Sequence, residues 1–380
     1  MSVEILLHNP EFEQNKHHEV ERTFLPVFPE LLTAEYRELS RPVEQYYLSH
    51  PSENFSLRCR EEFDDNGNAR YTAALKDRGT QKADGVSRLE VETEITADIY
   101  EHFRTPDRPL LRKLRAHPNR NVAIDFFEDG SVHVESEHPI AWTSFADTSR
   151  MKFIDVTGDS QVRSEWKAHF AYMKHHGGQE ALAPLPELDV QTIATDILAT
   201  RRHDQAHFVQ IAGRSGSGKS TVVRELRTKL AEYGLSSDVI STDDYHRGNT
   251  WLHERTGGEP WIDWDDPIVY DTARMADDLA RLADGERIAR REVDFGIVET
   301  RIVGEIRPVD IMIIEGIYAG SQDLAAFADS KYEMPTPLAT CIGRRLLRDL
   351  RERPEFADPA KSLRYMLEYA EPRYQEQNSR

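Results

Sequence analysis

The chain has 380 residues, 39% of them hydrophobic, enough for ordinary cores and a length that favours two domains over one. Its 48 Lys and Arg against 67 Asp and Glu leave a formal charge of −19, and a surface that acidic repels a phosphate backbone, so no nucleic-acid partner is expected. No apolar stretch nears the ~18 residues of a membrane-crossing helix. The start MSVEILLHNPEFEQ lacks the basic and apolar regions of a signal peptide, and Cys59 and Cys341 are too few for a disulfide framework, so a cytoplasmic protein without a membrane partner is expected.

The first half alternates apolar and charged residues. HHEVERTFL, NFSLRCREEF, ARYTAALK, SRLEVETEI, NVAIDFFEDG and SVHVESE each have period two, the signature of strands. Asn66-Gly67 and Asp129-Gly130 are hairpin signals. An antiparallel sheet of many strands follows, one able to close into a barrel. Like charges recur two apart: Glu19 and Glu21, Arg58 and Arg60, Glu90 and Glu92, Lys113 and Arg115, Glu135 and Glu137. On a strand such pairs share a face. If that face is inside a barrel, it makes a charged tunnel whose carboxylates suit a hard cation and whose cations suit a polyanion such as triphosphate. If it is outside, it is a solvated surface, and alternation alone does not choose.

A Gly- and Pro-bearing stretch from Gly177 to Asp189 reads as a linker, giving domains at 1–176 and 191–380 with a linker at 177–190. Beyond it the pattern changes. HFVQIAG is a short apolar strand, TVVRELRTKLAEYG a helix, SDVIS a strand, DTARMADDLARLADG a helix stopped at Gly285, REVDFGIVETR a strand and VDIMIIEG a buried parallel strand. ATCIGRRLLRDLRERP and PAKSLRYMLEYAEPRYQ are helical. Strands alternating with helices imply a three-layer α/β domain with a parallel sheet.

Between the first of these strands and its helix lies Gly213-Arg214-Ser215-Gly216-Ser217-Gly218-Lys219-Ser220-Thr221, a phosphate loop of the form G-x-x-x-x-G-K-[ST]. Backbone N–H groups of such a loop cradle phosphate oxygens, Lys219 brings a charge to the β and γ phosphates, and the Ser220 hydroxyl can hold Mg²⁺. The segment therefore predicts ATP with Mg²⁺. Glu315 ends the apolar strand VDIMIIEG, where a carboxylate can hold the metal or its water. Asp243 and Asp244 end SDVIS-TDD, where a carboxylate can take a proton from an acceptor hydroxyl, although for Asp244 alone a capping role is the better reading.

GRSGSGKST, ISTDDYHR, DWDDPIVYD, VDIMIIEGIY and RRLLRDLRERP follow one another in the order of the uridine kinase and phosphoribulokinase family, and the chain resembles it from about Ala206 to Gln377. The resemblance implies that Asp243 is the catalytic base, Glu315 the metal-side carboxylate and Asp265 the residue that holds the acceptor's sugar hydroxyls. Arg344 and Arg348, four apart on one helix face, match lid arginines that meet the transferring phosphate. Val293 and Val298 stand where uridine kinases have the Tyr and His that read the base, and Cys341 replaces a further arginine. The family's strand after the last helix has no counterpart before Arg380, an expectation of a sheet one strand short or of a truncated sequence.

The first half, from about His17 to Trp166, resembles the CYTH or triphosphate-tunnel family: HHEVERTFL looks like its E-x-E-x-K strand, and SLRCR, YTAALK, SRLEVETEI, LRKLR, VAIDFFEDGSVHVESE and FIDVTGD follow in order. The resemblance implies metal-side carboxylates at Glu19 and Glu21, further acidic lining at Glu90, Glu92, Glu135 and Glu137, phosphate-binding cations at Arg58, Arg60, Lys76, Lys113 and Arg115, and Mg²⁺ or Mn²⁺ as the metal. Thr23 stands where the motif has its lysine. The expectation is a two-domain phosphotransferase with a small hydroxyl-bearing or phosphorylated acceptor. The alternatives are a pyrophosphatase or triphosphatase, or a sensor of nucleotide or polyphosphate with an inactive tunnel. Acceptor and oligomeric state stay unassigned.

Overall fold

The computed structural model describes residues 18–378 except 51–52, 65, 83–84, 150, 177–187, 203–204 and 353–357. The first 17 residues, read above for a signal peptide, and most of the predicted linker lie outside the described residues. The chain divides into two compact units, Met1–Pro184 with Asp358–Arg364, and Leu185–Ala357 with Tyr365–Arg380.

In the first unit, strands β1 (His18–Pro26), β2 (Arg41–Tyr47), β3 (Phe55–Phe63), β4 (Ala69–Asp77), β5 (Thr80–Lys82), β6 (Gly85–Glu94), β7 (Leu110–Asn119), β8 (Val122–Phe127), β9 (Val132–Ser136) and β10 (Phe153–Asp155) form one antiparallel sheet. Its order β1-β9-β8-β7-β2-β3-β4-β6 closes on itself because β1 also pairs with β6, so eight strands make a barrel. β2 carries no sequence signal of its own, since Pro42 breaks the strand pattern, yet it bonds to both β3 and β7. The register settles the question that alternation left open. Phe24, Ile124, Phe126, Val132 and Val134 point outward into a core shared with Phe145 of helix α3 (Pro139–Ser149) and Leu32 of helix α1 (Pro29–Tyr36). Tyr46 meets Tyr100 of helix α2 (Ala97–Phe103) in the same way. The helices cover the apolar face, so the charged face is left to the inside. Helix α4 (Ser164–His175) completes this unit's described helices up to the linker.

The second unit has a parallel sheet of β11 (His207–Ala212), β12 (Ser237–Ser241), β15 (Ile311–Gly316) and β16 (Ser330–Glu333) in the order β12-β15-β11-β16. β11 and the apolar part of β15 are buried along their length, as central parallel strands are. Helix α5 (Val190–Thr200) starts inside the predicted linker and sends Ile193 and Ile197 into the core below one sheet face, with Leu226 and Leu230 of α6 (Lys219–Glu232). The other face is covered by α8 (Thr272–Ala283) through Met275, Leu279 and Leu282. Helix α7 (Asn249–Arg255) follows β12. The segment REVDFGIVETR, read as one strand, is a hairpin: β13 (Ile288–Asp294) turns at residues 295–298 into β14 (Glu299–Ile306). Helices α9 (Gln322–Ala325), α10 (Leu338–Glu352), α11 (Pro359–Tyr365) and α12 (Glu371–Asn378) finish the chain. No helix among the described residues is long and apolar enough to cross a membrane.

Candidate active sites

In the second unit β11 and β15 end side by side, Ala212 opposite Gly316 and Ile211 opposite Glu315, while Ser241 of β12 also faces Glu315. The phosphate loop leaves β11 at that edge and α6 begins at Lys219. A cavity of ≈ 450 Å³ opens there, lined by Ser215, Gly216, Gly218, Lys219, Ser220 and Thr221 of the loop together with Asp243, Glu315, Asp265, Arg344 and Arg348. Residues far apart in the chain thus meet around the start of a helix, where unpaired N–H groups favour an anion. Gly213 and Ser217 do not line the cavity. The Gly213 carbonyl accepts from Lys219 Nζ at 2.7 Å, and the Arg214 carbonyl accepts from it at 2.9 Å. The Ser217 carbonyl accepts from Thr336 Oγ1 at 2.8 Å and from Arg344 Nη1 at 3.4 Å. Gly216 has φ 80°, and a Cβ there would collide with the Cys341 carbonyl oxygen, so α10 seats directly on the loop.

Burial raises the carboxyl of Glu315 and the charge of Asp243 raises it further. Burial lowers the Lys219 ammonium. Asp244 is pushed up to about 6 by burial and by Asp243. Glu315 and Ser220 offer hard oxygen donors, and a carboxylate crowded by a second carboxylate gains from a nearby cation, so this pair fits Mg²⁺. Asp265 is 7% exposed and already engaged: Tyr365 donates to its Oδ2 at 2.6 Å and both Nη atoms of Arg345 lie at 3.4 Å. Arg345 and Tyr365, with His246, Trp264, Tyr270 and Phe295, also line the cavity, and none of them was given a role from the sequence. Val298 lines it as well, whereas Val293 is buried and does not. Behind the loop, Arg214 makes two hydrogen bonds to Glu371 of α12, at 2.7 and 2.9 Å, and lies 4.4 Å from the centre of the Tyr374 ring.

In the first unit a cavity of ≈ 560 Å³ runs inside the barrel. Glu19, Glu21, Thr23, Arg58, Arg60, Lys76, Glu90, Glu92, Arg115, Glu135 and Glu137 all line it, joined by Arg78, Arg88, Arg163 and Glu165, which the motifs did not single out. Lys113 does not. It is 4% exposed, behind the lining, with Nζ 2.6 Å from Asp125. Asp125, fully buried, also takes two hydrogen bonds from Arg115 at 2.6 and 2.7 Å. Glu19, Glu21, Glu90, Glu92, Glu135 and Glu137 all face the cavity, and among the described residues no three acidic, His or Cys groups are grouped so as to hold an ion. The reason is the interleaving of opposite charges. Lys76 Nζ lies 2.7 Å from Glu19, 3.1 Å from Glu90 and 3.9 Å from Glu21, Arg88 lies 3.6 and 3.8 Å from Glu19 and Glu21, and Arg115 holds Glu135. Burial, the Glu90 hydrogen bond and the Glu21 charge push Glu19 up to about 8 even against Lys76. The buried Nε atoms of Arg58, Arg60 and Arg88 have no hydrogen-bond partner.

The profile of the Phosphoribulokinase / Uridine kinase family matches residues 208–361. A uridine kinase of Ureaplasma parvum serovar 3 is 32% identical over 149 residues, 38% of this chain and 70% of that protein. Among solved structures, the chain is similar to a protein of Silicibacter sp. TM1040 described as a candidate fructose transport system kinase, at 22% identity and a TM-score of 0.45, over 49% of this chain and 94% of that one. It is also similar to an inorganic triphosphatase, at 22% identity and a TM-score of 0.26, over 40% of this chain and 93% of that one.

Proposed function

Because the chain belongs to the phosphoribulokinase and uridine kinase family, we propose that its second unit transfers the γ-phosphoryl group of ATP to a small hydroxyl-bearing acceptor. One observation carries this reading: Lys219, Asp243, Glu315, Asp265 and Arg344 line a single cavity at the end of a parallel sheet. Lys219 exchanges its carbonyl partners for phosphate oxygens, Arg344 and Arg348 add charge from α10, Asp265 with Tyr365 and Arg345 orients the acceptor, and Asp243 accepts the acceptor's hydroxyl proton as the new P–O bond forms. Mg²⁺, held by Ser220 and Glu315, supplies charge neutralisation on the phosphates when bound. ADP formation from Mg-ATP, measured with a panel of nucleosides, sugar phosphates and no acceptor, tests the proposal: one acceptor should raise the rate well above background. A rate equal with every acceptor would mean hydrolysis instead. Asp243→Asn should cut kcat by ~10²- to 10⁴-fold with that acceptor, and an unchanged kcat would remove Asp243 from the role.

A second site is favoured by the barrel. The buried Nε atoms of Arg58 and Arg60 have no hydrogen-bond partner, and an acceptor-rich anion would supply one, so we infer that the tunnel binds a phosphate chain such as tripolyphosphate. Whether it also cleaves the chain turns on Thr23, which lines the tunnel with no ammonium to offer a reacting phosphate. Calorimetry should find tripolyphosphate binding weakened at least ~30-fold in Arg58→Ala. Equal affinity in that variant would move the ligand elsewhere, and phosphate release in the wild type would make the unit a triphosphatase.

A further inference from the structure

The first turn of α12 reaches three different elements of its unit. Glu371 accepts two hydrogen bonds from Arg214 of the phosphate loop, at 2.7 and 2.9 Å. Arg373 donates from Nε to Asp263 at 2.9 Å and from Nη2 to Asp266 at 3.3 Å, the two acids that flank Trp264-Asp265. Tyr374 donates to Glu333, at the end of β16, at 2.6 Å. Residues two apart on a helix point about 200° apart round its axis, so Glu371 and Arg373 serve opposite neighbours and α12 stands between the two loops. Neither side chain lines the substrate cavity. They line a separate chamber of ≈ 30 Å³, divided from that cavity by Ser215, Asp265, Ile317 and Arg345, which border both spaces.

The loop around Asp265 needs such a support. Asp263, Asp265 and Asp266 fall within four residues, and like charges so close repel one another. Arg345 opposes Asp265, and Arg373 opposes both of the others. Burial raises the Asp263 carboxyl, Arg373 pulls it back, and the charges of Asp266 and Asp265 push it up again. Its Oδ1 is buried without a hydrogen-bond partner, so the carboxylate leans on Arg373 at Oδ2. The phosphate loop carries the donor and Asp265 the acceptor, and transfer needs their reacting atoms at about 3–3.5 Å, where a 1 Å misplacement costs on the order of 10²-fold. We infer that Glu371 and Arg373 are positioning residues, one for each substrate loop, and that α12 is the spacer that sets the separation of those loops. The inference rests on the kinase reading for the site and adds two residues that act on it without touching a substrate.

Amide hydrogen exchange over residues 213–219 and 261–267 of the full chain, with calorimetry of a non-hydrolysable ATP analogue and Mg²⁺, tests the assignment. Glu371→Gln should speed exchange in the phosphate-loop segment and weaken the analogue about tenfold, with the 261–267 segment unchanged. Arg373→Gln should do the reverse: faster exchange at 261–267, with the analogue bound within about twofold of the wild type. Arg214→Gln breaks the first pair from the loop side and should repeat the Glu371→Gln pattern, so the test stands even where that variant fails to fold. A helix that merely stabilised the unit would loosen both segments together in every variant. That result, or no change in either segment, would overturn the inference. An analogue that the wild type fails to bind would sink the kinase reading instead, and the exchange pattern alone would then decide whether α12 spaces the loops.

Discussion

Lys219→Ala should abolish ADP formation from Mg-ATP, with kcat down on the order of 10³-fold. Lys219 is the first residue of α6 and the one loop side chain that brings a positive charge into the cavity, facing Asp243 and Glu315. Without it two carboxylates meet the phosphates, and only the arginines of α10 oppose them. Its present partners are the Gly213 and Arg214 carbonyls, so the change removes no ion pair that the fold depends on, and alanine is the best helix former for that position. The variant should melt as the wild type does, which separates lost chemistry from lost structure. Activity within tenfold of the wild type would end the assignment of this loop as the ATP site.

Asp125→Ala should destabilise the barrel by about 3–5 kcal/mol. The substitution leaves the buried Lys113 ammonium without its partner and takes from Arg115 the two bonds that hold it toward the tunnel. Urea unfolding of the first unit, followed separately from the second because two units need not unfold together, should show the loss at neutral pH. Burial works against the Asp125 charge, but Arg115 and Lys113 outweigh it and hold the carboxyl well below the ordinary range. A carboxyl so depressed stabilises the fold above its unfolded pKa and loses that contribution as the pH falls, so the difference between wild type and variant should shrink below pH ~4. A constant difference across that window would mean that packing, not charge, is what Asp125 supplies. Since Asp125 carries the guanidinium of Arg115, the same variant should also weaken tripolyphosphate binding.

The phosphate loop was legible because its chemistry is local: glycines, a lysine and a hydroxyl within nine residues, between an apolar strand and a helix. Glu315 was legible for a similar reason, as the carboxylate that ends an apolar run. Arg345 and Tyr365 were not, because what defines them is contact with Asp265, 80 and 100 residues away, and an arginine or a tyrosine within a helix carries no such message. In the barrel the period-two charges showed which residues share a face, and the covering helices fixed that face inside. Which cations those carboxylates would meet was not legible, because it depends on pairing register: Glu19 sits opposite Arg88, Glu90 opposite Lys76 and Asp125 opposite Arg115. Register depends on strand partners that a list of strands does not supply. Asp125 itself hid in VAIDFF as one acid in an apolar strand, and β2 hid behind Pro42.

The ion pair between Arg214 and Glu371 makes the phosphate loop an arch with a buttress. Its second residue is braced from behind by α12, and Tyr374, stacked on the same guanidinium, is in turn anchored to the end of β16 through Glu333. Thermodynamic reciprocity then runs through the masonry: whatever free energy α12 contributes to holding the arch in its nucleotide-ready curve, a seated nucleotide returns as resistance of α12 to fraying. A fluorescent label placed on α12 itself therefore becomes a reporter of whether the loop is loaded.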